Sequence, residues 1–173
     1  KAMEMYMKAI HITLPDFDGK NPLRNNLLTF DEIMIINAIA ILHAKADDIM
    51  TAVQLGMWLK KYMEEKIVDG TMKIAKYPMI LYNLSNWLGR ENCHKEALKM
   101  ADLGIRFCIR YGNLAFFPIL VFNKGGALAE LGKIDQAKKY LHQSVTIFEA
   151  MDRPDLIQVA TDWCKLHYRI DIQ

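Results

Sequence analysis

Primary amides recur at matched places in this chain. Asn37, Asn83 and Asn123 stand second in the phrases INAIAILHAKADD, YNLSNWLGRENCHKEA and FNKGGALAELGKIDQA. A carboxamide both donates and accepts, so it can pair with the N–H and C=O of an extended peptide whatever that peptide's side chains are. Asparagine is otherwise a poor residue inside a helix, because its amide competes with the backbone for hydrogen bonds. The alternative use is to bridge neighbouring helices in a stack, since buried amides find protein partners; both uses stay open. Helical spacing extends the row around Asn83 to Met79, Asn86 and Arg90, and the row around Asn123 to Ile119, Gly126 and Glu130. Tyr82 and Phe122 would add side walls. Such a groove is apolar with a few amides and one basic residue, which suits a short hydrophobic peptide with an acidic group or C-terminal carboxylate near Arg90.

Other reactive residues are dispersed. Cys164 and His167 form a CxxH half-site and Cys93-His94 a turn pair, but no second half at zinc spacing accompanies either, so no metal is expected. His11, His43, His94, His142 and His167 are scattered, and no local motif marks a nucleophile or general base. An enzyme and a cofactor are therefore not expected. Lys60-Lys61 and Lys138-Lys139 read as solvated helix faces rather than phosphate contacts. Trp58, Trp87 and Trp163 fall on apolar stripes and read as core. The eleven methionines serve equally as an adaptable surface or as core filler. Gly125-Gly126 inside a helix costs about 1 kcal/mol per glycine relative to alanine, and close packing explains it better than room for a ligand.

The elements that would position these residues are helices. From Phe30 to Ala44 the apolar residues form a broad helical face, with Thr29 and Glu32 as a capping box. Asp47 and Asp48 open a second helix to about Glu65. The linker Asp69-Gly70-Thr71 should end this hairpin, and Pro78 should sit in the first turn of the next helix or just ahead of it. That second hairpin runs Met79 to Arg90 and His94 to Arg110, with Gly112-Asn113 as its exit. The third runs Pro118 to Leu131 and Asp135 to Met151, turning at Gly132-Lys133. Short turns make each pair antiparallel. One more helix, Asp155 to about Tyr168 with Asp152 as N-cap, should cap the stack. Almost no strand is expected.

The hairpins thus occupy 29–66, 77–111 and 115–151, with a capping helix over 153–170. Ala52, Ala97 and Ala137 lie 45 and 40 residues apart, close to the spacing at which helical hairpins stack into a solenoid with a partner-binding groove. Residues 1–15 read as the second helix of an earlier repeat whose first helix is absent, so the chain is expected to be a piece of a longer protein. With 52% hydrophobic residues, the 173-residue chain can form one continuous core and one domain, 1–173. A formal charge of +2 gives no long-range pull on nucleic acid or anionic lipid. Three cysteines without a CxxC suit a reducing cytoplasm, and no signal peptide or long apolar run points to a membrane.

The phrases resemble the tetratricopeptide repeat. With Ala137 on the alanine of its helix B, Gly125 takes the small helix A position, Leu128 the tyrosine position and Gly132 the turn; with Ala97 there, Leu84, Ser85 and Leu88 take the helix A sites. The units exceed the usual ~34 residues. LTFDEIMIINAIA, YPMILYNLSNWLG, EALKMADLGIRFCIRYG and LVFNKGGALAELGKIDQAKKYL, together with YMKAIHITLP and the PDFD that begins at its proline, are similar to the C-terminal sensor region of Rgg- and PlcR-like peptide-responsive bacterial transcription regulators. The resemblance covers nearly the whole chain. It implies an all-α tetratricopeptide-like solenoid, a homodimer, a short signalling peptide held partly by helix A asparagines, and DNA binding only through an N-terminal helix-turn-helix domain outside this sequence. A general protein-protein scaffold without switching is the alternative.

Overall fold

The computed structural model describes residues 1–20, 27–66, 70–170 and 172. Among them the protein is all-α, with eight α-helices and no strand. In chain order these are α1 (Ala2–Ile10), α2 (Phe30–Lys45), α3 (Ile49–Glu65), α4 (Gly70–Arg90), α5 (His94–Tyr111), α6 (Phe117–Glu130), α7 (Ile134–Ala150) and α8 (Pro154–Trp163), followed by a π-helical turn, Cys164–Tyr168. Helix α2 lies against α3, α4 against α5 and α6 against α7; α4 also meets both α2 and α6. The expected stack of antiparallel hairpins is present, and α2, α4 and α6 share one layer. None of the described helices is long and apolar enough to cross a membrane.

The same turn joins one helix directly to the next four times, and a fifth copy closes α5, where Asn113 N–H donates to Cys108 O at 3.1 Å after Gly112 at φ 69°. The amides of Asp48, Cys93, Lys133 and Arg153 donate to the carbonyls of His43, Leu88, Leu128 and Phe148 at 2.9, 2.9, 2.9 and 3.0 Å, the six-to-one bond of a Schellman turn. The residue before each donor has positive φ: Asp47 (64°), Asn92 (57°), Gly132 (73°) and Asp152 (52°). Glycine tolerates this region freely, and short polar residues such as Asn and Asp visit it more readily than others. Asp152 therefore belongs to the end of α7. It is not the N-cap expected for α8; that position falls to Arg153, whose side chain makes no cap hydrogen bond. The capping box at α2 is as expected, with Glu32 N–H donating to Thr29 Oγ1 at 3.3 Å and Thr29 N–H to Glu32 Oε2 at 2.6 Å.

Helix α4 departs from expectation. It begins at Gly70, so Gly70 and Thr71 are helical rather than linker, and Pro78 lies in the helix interior; Asp69 lies outside the described residues. Proline has no N–H to offer the carbonyl four residues back, that of Ile74. Asn113, in the α5–α6 loop, supplies the missing donor: its Nδ2 bonds Ile74 O at 2.6 Å. The cost of Pro78 is thus offset by a residue at the exit of its own hairpin, just past α5.

The core has two parts. One joins α1 through α4, with Ile10, Phe17, Ile33, Leu55, Leu59 and Ile80 fully buried. The other joins α6, α7, α8 and the C-terminal segment, around Leu128, Leu141, Phe148 and Cys164. Leu88, Ala97 and Ala127 pack between them. At the α6–α7 crossing, a Cβ on Gly125 would lie 2.7 Å from Leu141 Cγ and Cδ2, so the helices approach more closely than alanine permits.

Candidate functional site

The shared layer of α2, α4 and α6 brings the three asparagines together. Asn83 Nδ2 donates to Asn37 Oδ1 at 3.0 Å, and Asn37 Nδ2 points at Met79 Sδ, 3.9 Å away. Asn123 Nδ2 donates to Ser85 Oγ at 2.7 Å and reaches Tyr82 O at 3.4 Å, while Ser85 Oγ donates to the same carbonyl at 2.9 Å. The amides therefore link helix to helix. Asn37 and Asn83 are 3% and 8% exposed. Asn123 is half-buried, and no described residue donates to its Oδ1.

Beside this row lies a cleft of about 550 Å³, within the size range of small-ligand and peptide-side-chain pockets. Six of the candidate residues line it: Tyr82, Asn86 and Arg90 from α4, and Ile119, Phe122 and Asn123 from α6. Asn37, Met79, Asn83 and Gly126 do not. Gly126 faces Tyr168 instead; a Cβ there would lie 2.7 Å from the tyrosine hydroxyl. Tyr82 leans on Phe116, with ring centroids 6.1 Å apart, which helps hold the α4 wall. Asn86 is exposed and makes no side-chain hydrogen bond to a described residue.

The far wall comes from α8 and the π-helical turn, which carry Val159, Trp163, His167 and Tyr168 into the lining. The sequence places this helix as a cap on the stack and gives its residues no part in a ligand site. Trp163, expected in the core, is 46% exposed and stacks on His167 with centroids 3.9 Å apart. The four-residue spacing of Trp163 and His167 was the available signal. Trp87 is buried as expected, and Trp58 is half-buried against Tyr62.

Charge in the cleft is unevenly matched. Arg90 Nη1 donates to Ala44 O at 3.0 Å and Nη2 to Asp47 Oδ1 at 2.9 Å, so the guanidinium clamps the turn between α2 and α3. The sequence had cast it as a receptor for a ligand carboxylate, and in the fold both of its terminal nitrogens already have acceptors. Glu130 Oε2 stands 4.0 Å from His94 Nε2, beyond hydrogen-bond distance. The other ring nitrogen of His94, Nδ1, is buried and has no hydrogen-bond partner among the described residues. Burial pushes the hydroxyls of Tyr82 and Tyr168 above the usual tyrosine range; at Tyr168 a hydrogen bond with Trp163 opposes this and the Glu130 charge adds to it. Lys124 is engaged elsewhere, 2.7 Å from Asp102 and 4.1 Å above the Tyr140 ring.

The cleft thus offers aromatic and aliphatic walls, one uncommitted amide at Asn86, an open acceptor at Asn123 and a carboxylate at one end. Among the described residues no three His, Cys, Asp or Glu side chains converge as a metal site would require. Comparison with protein-family models, with curated proteins and with solved structures finds no match to this chain.

Proposed function

We propose that this chain is a ligand-binding module that holds a short peptide in the cleft between α4, α6 and α8. The carrying observation is the cleft itself: an apolar volume bordered by tiers of a helical stack, with uncommitted polar groups at Asn86 and Asn123 that can serve a peptide backbone. The resemblance to peptide-responsive regulators supplies the wider reading. In it the module senses a signalling peptide inside the cytoplasm, forms a homodimer and repositions DNA-binding domains that lie outside this sequence. A ligand can drive such a shift only through different affinity for two arrangements, and a far wall built from α8, a helix outside the three hairpins, supports this reading. A scaffold without switching is favoured by one different observation, the amide bonds that tie α2, α4 and α6 to one another.

Titration calorimetry with a panel of synthetic apolar hexapeptides tests the binding reading, with Trp163 fluorescence as a second readout. Binding should weaken at least about tenfold in Phe122→Ala, which removes a wall, and in Asn86→Trp, which fills the cleft from an exposed position. Equal affinity for wild type and both variants would place the peptide elsewhere and refute the assignment. Small-angle scattering with and without peptide separates sensor from scaffold: a change in shape or oligomeric state supports the former, and superimposable curves the latter.

A further inference from the structure

The two halves of the stack end their inner helices with opposite charges. Arg90 and Glu130 each follow the repeat asparagine of their helix, Asn83 and Asn123, by seven residues. Each is the last residue of its helix. A helix C-terminus carries partial negative charge from its free carbonyls and is stabilised by a cation. Helix α4 satisfies that preference with Arg90, which also binds the carbonyl of Ala44 and the carboxylate of Asp47. Helix α6 does the reverse: it has no basic residue in its last turn and adds a carboxylate instead. Among the described residues no lysine or arginine pairs with Glu130, and its nearest basic neighbour is the His94 ring at 4.0 Å.

This carboxylate borders the cleft, and so do Trp163, His167 and Tyr168 from the opposite wall. Aromatic faces attract cations as well as apolar groups. The guanidinium that would have given the cleft a positive centre has its charge matched by Asp47. The negative end of α6 and the Glu130 carboxylate therefore act together on whatever occupies this end of the cleft.

We infer that the Glu130 end of the cleft is a cation subsite, so that the ligand carries an apolar body and one primary ammonium group seated on Glu130 between α6 and the aromatic wall of α8. This rests on the reading of the cleft as a ligand site and reverses the polarity that the sequence suggested, a carboxylate on Arg90. The ammonium could be a peptide's free N-terminus or a lysine side chain; the recognising chemistry is the same.

Four versions of one apolar hexapeptide distinguish the possibilities at neutral pH, where α-amines are largely protonated. The first has a free N-terminus and amidated C-terminus. The second is blocked at both ends and carries a terminal lysine, the third is acetylated with a free carboxylate, and the fourth is blocked at both ends without charge. The first or second should bind wild type about tenfold more tightly than the fourth, and the third no more tightly than the fourth. Which of the first two binds better identifies the source of the ammonium. The advantage should vanish in Glu130→Gln, and Glu130→Arg should shift preference to the third version; thermal melts check that both variants remain folded. Binding of all four with equal affinity, or a charge preference that survives in Glu130→Gln, overturns the cation subsite while leaving the cleft as a ligand site. If no version binds, the reading of the cleft fails and the subsite fails with it.

Discussion

A single added methyl group should have three different effects at three glycines, and the differences follow from what each Cβ would meet. At Gly125 the new atom would lie 2.7 Å from Leu141 Cγ and Cδ2 and 3.2 Å from the Leu141 backbone nitrogen. Leu141 is fully buried, so its side chain cannot swing away, and the backbone contact means that α7 itself must move. Overpacking of this kind costs about 1–3 kcal/mol, and a backbone clash takes the upper part of that range. Replacing a helix-interior glycine by alanine returns about 1 kcal/mol. Gly125→Ala should therefore lose about 2 kcal/mol net, a fall in Tm of roughly 4–8 °C for a domain of this size. Gly89→Ala meets nothing within 4 Å and should gain about 0.5 kcal/mol, less than the full propensity because it lies in the last turn of α4. Gly126→Ala meets only the hydroxyl end of the Tyr168 side chain and no backbone; its cost should be smaller than that of Gly125→Ala, with a change in Trp163 emission. Urea denaturation of the three variants and wild type, with unchanged m-values, gives the comparison. Gly125→Ala as stable as wild type, or less harmful than Gly89→Ala, would refute the claim of close α6–α7 approach.

Asn113→Ala should destabilise by about 1–2 kcal/mol in wild type by stranding the Ile74 carbonyl, and by much less in a Pro78→Ala background, where an amide returns to bond it; additive costs in the double-mutant cycle would count against the strap. Glu32 lies below its ordinary value of 4.5, because hydrogen bonds to Thr13 and Thr29 outweigh the upward push of burial. A carboxyl depressed on folding contributes stability above its unfolded value and loses it as pH falls through the folded one, so acid unfolding should gain part of its slope below about pH 4.5 from this group. Glu32→Gln, which can still accept from Thr29, should flatten that limb in urea melts across pH. The Cys108 and Cys164 thiols are pushed up to about 11 by burial, whereas Cys93 is exposed; a thiol reagent at pH 8 should label Cys93 alone within minutes, and fast labelling of a second cysteine would contradict the packing.

Local signals were legible and remote compensation was not. The Thr29–Glu32 capping box, Asp48 at the start of α3 and the turn at Gly132 could be found because each reports on residues within a turn of itself, whereas Asp47, read as opening α3, ends α2 with a φ of 64°. Pro78 misled because its effect is cancelled by Asn113, 35 residues further on, and no window along the chain connects them. Asp152 misled because an aspartate ahead of a proline-led helix suggests an N-cap, although its φ of 52° serves the end of the preceding helix. For the candidate site, the α4 and α6 walls followed from helical spacing. The α8 wall did not, since only the tertiary fold sets Tyr168 against Gly126 and Trp163 beside the cleft. The amides could be located but not oriented: their spacing suits a bound backbone and a neighbouring helix equally well.

The bond between Asn37 and Asn83 also fixes alignment. Leucine, isoleucine and alanine faces recur every turn, so two such helices could slide past each other by about 5.4 Å and still bury apolar surface. The amide pair removes that tolerance, because a slip would leave two buried carboxamides facing hydrocarbon at about 1–3 kcal/mol each. The second pair, Asn123 with Ser85, repeats the constraint one tier along. The buried amides thus act as a vernier: apolar burial supplies the adhesion between tiers, and the polar pairs select one offset among those the adhesion would accept.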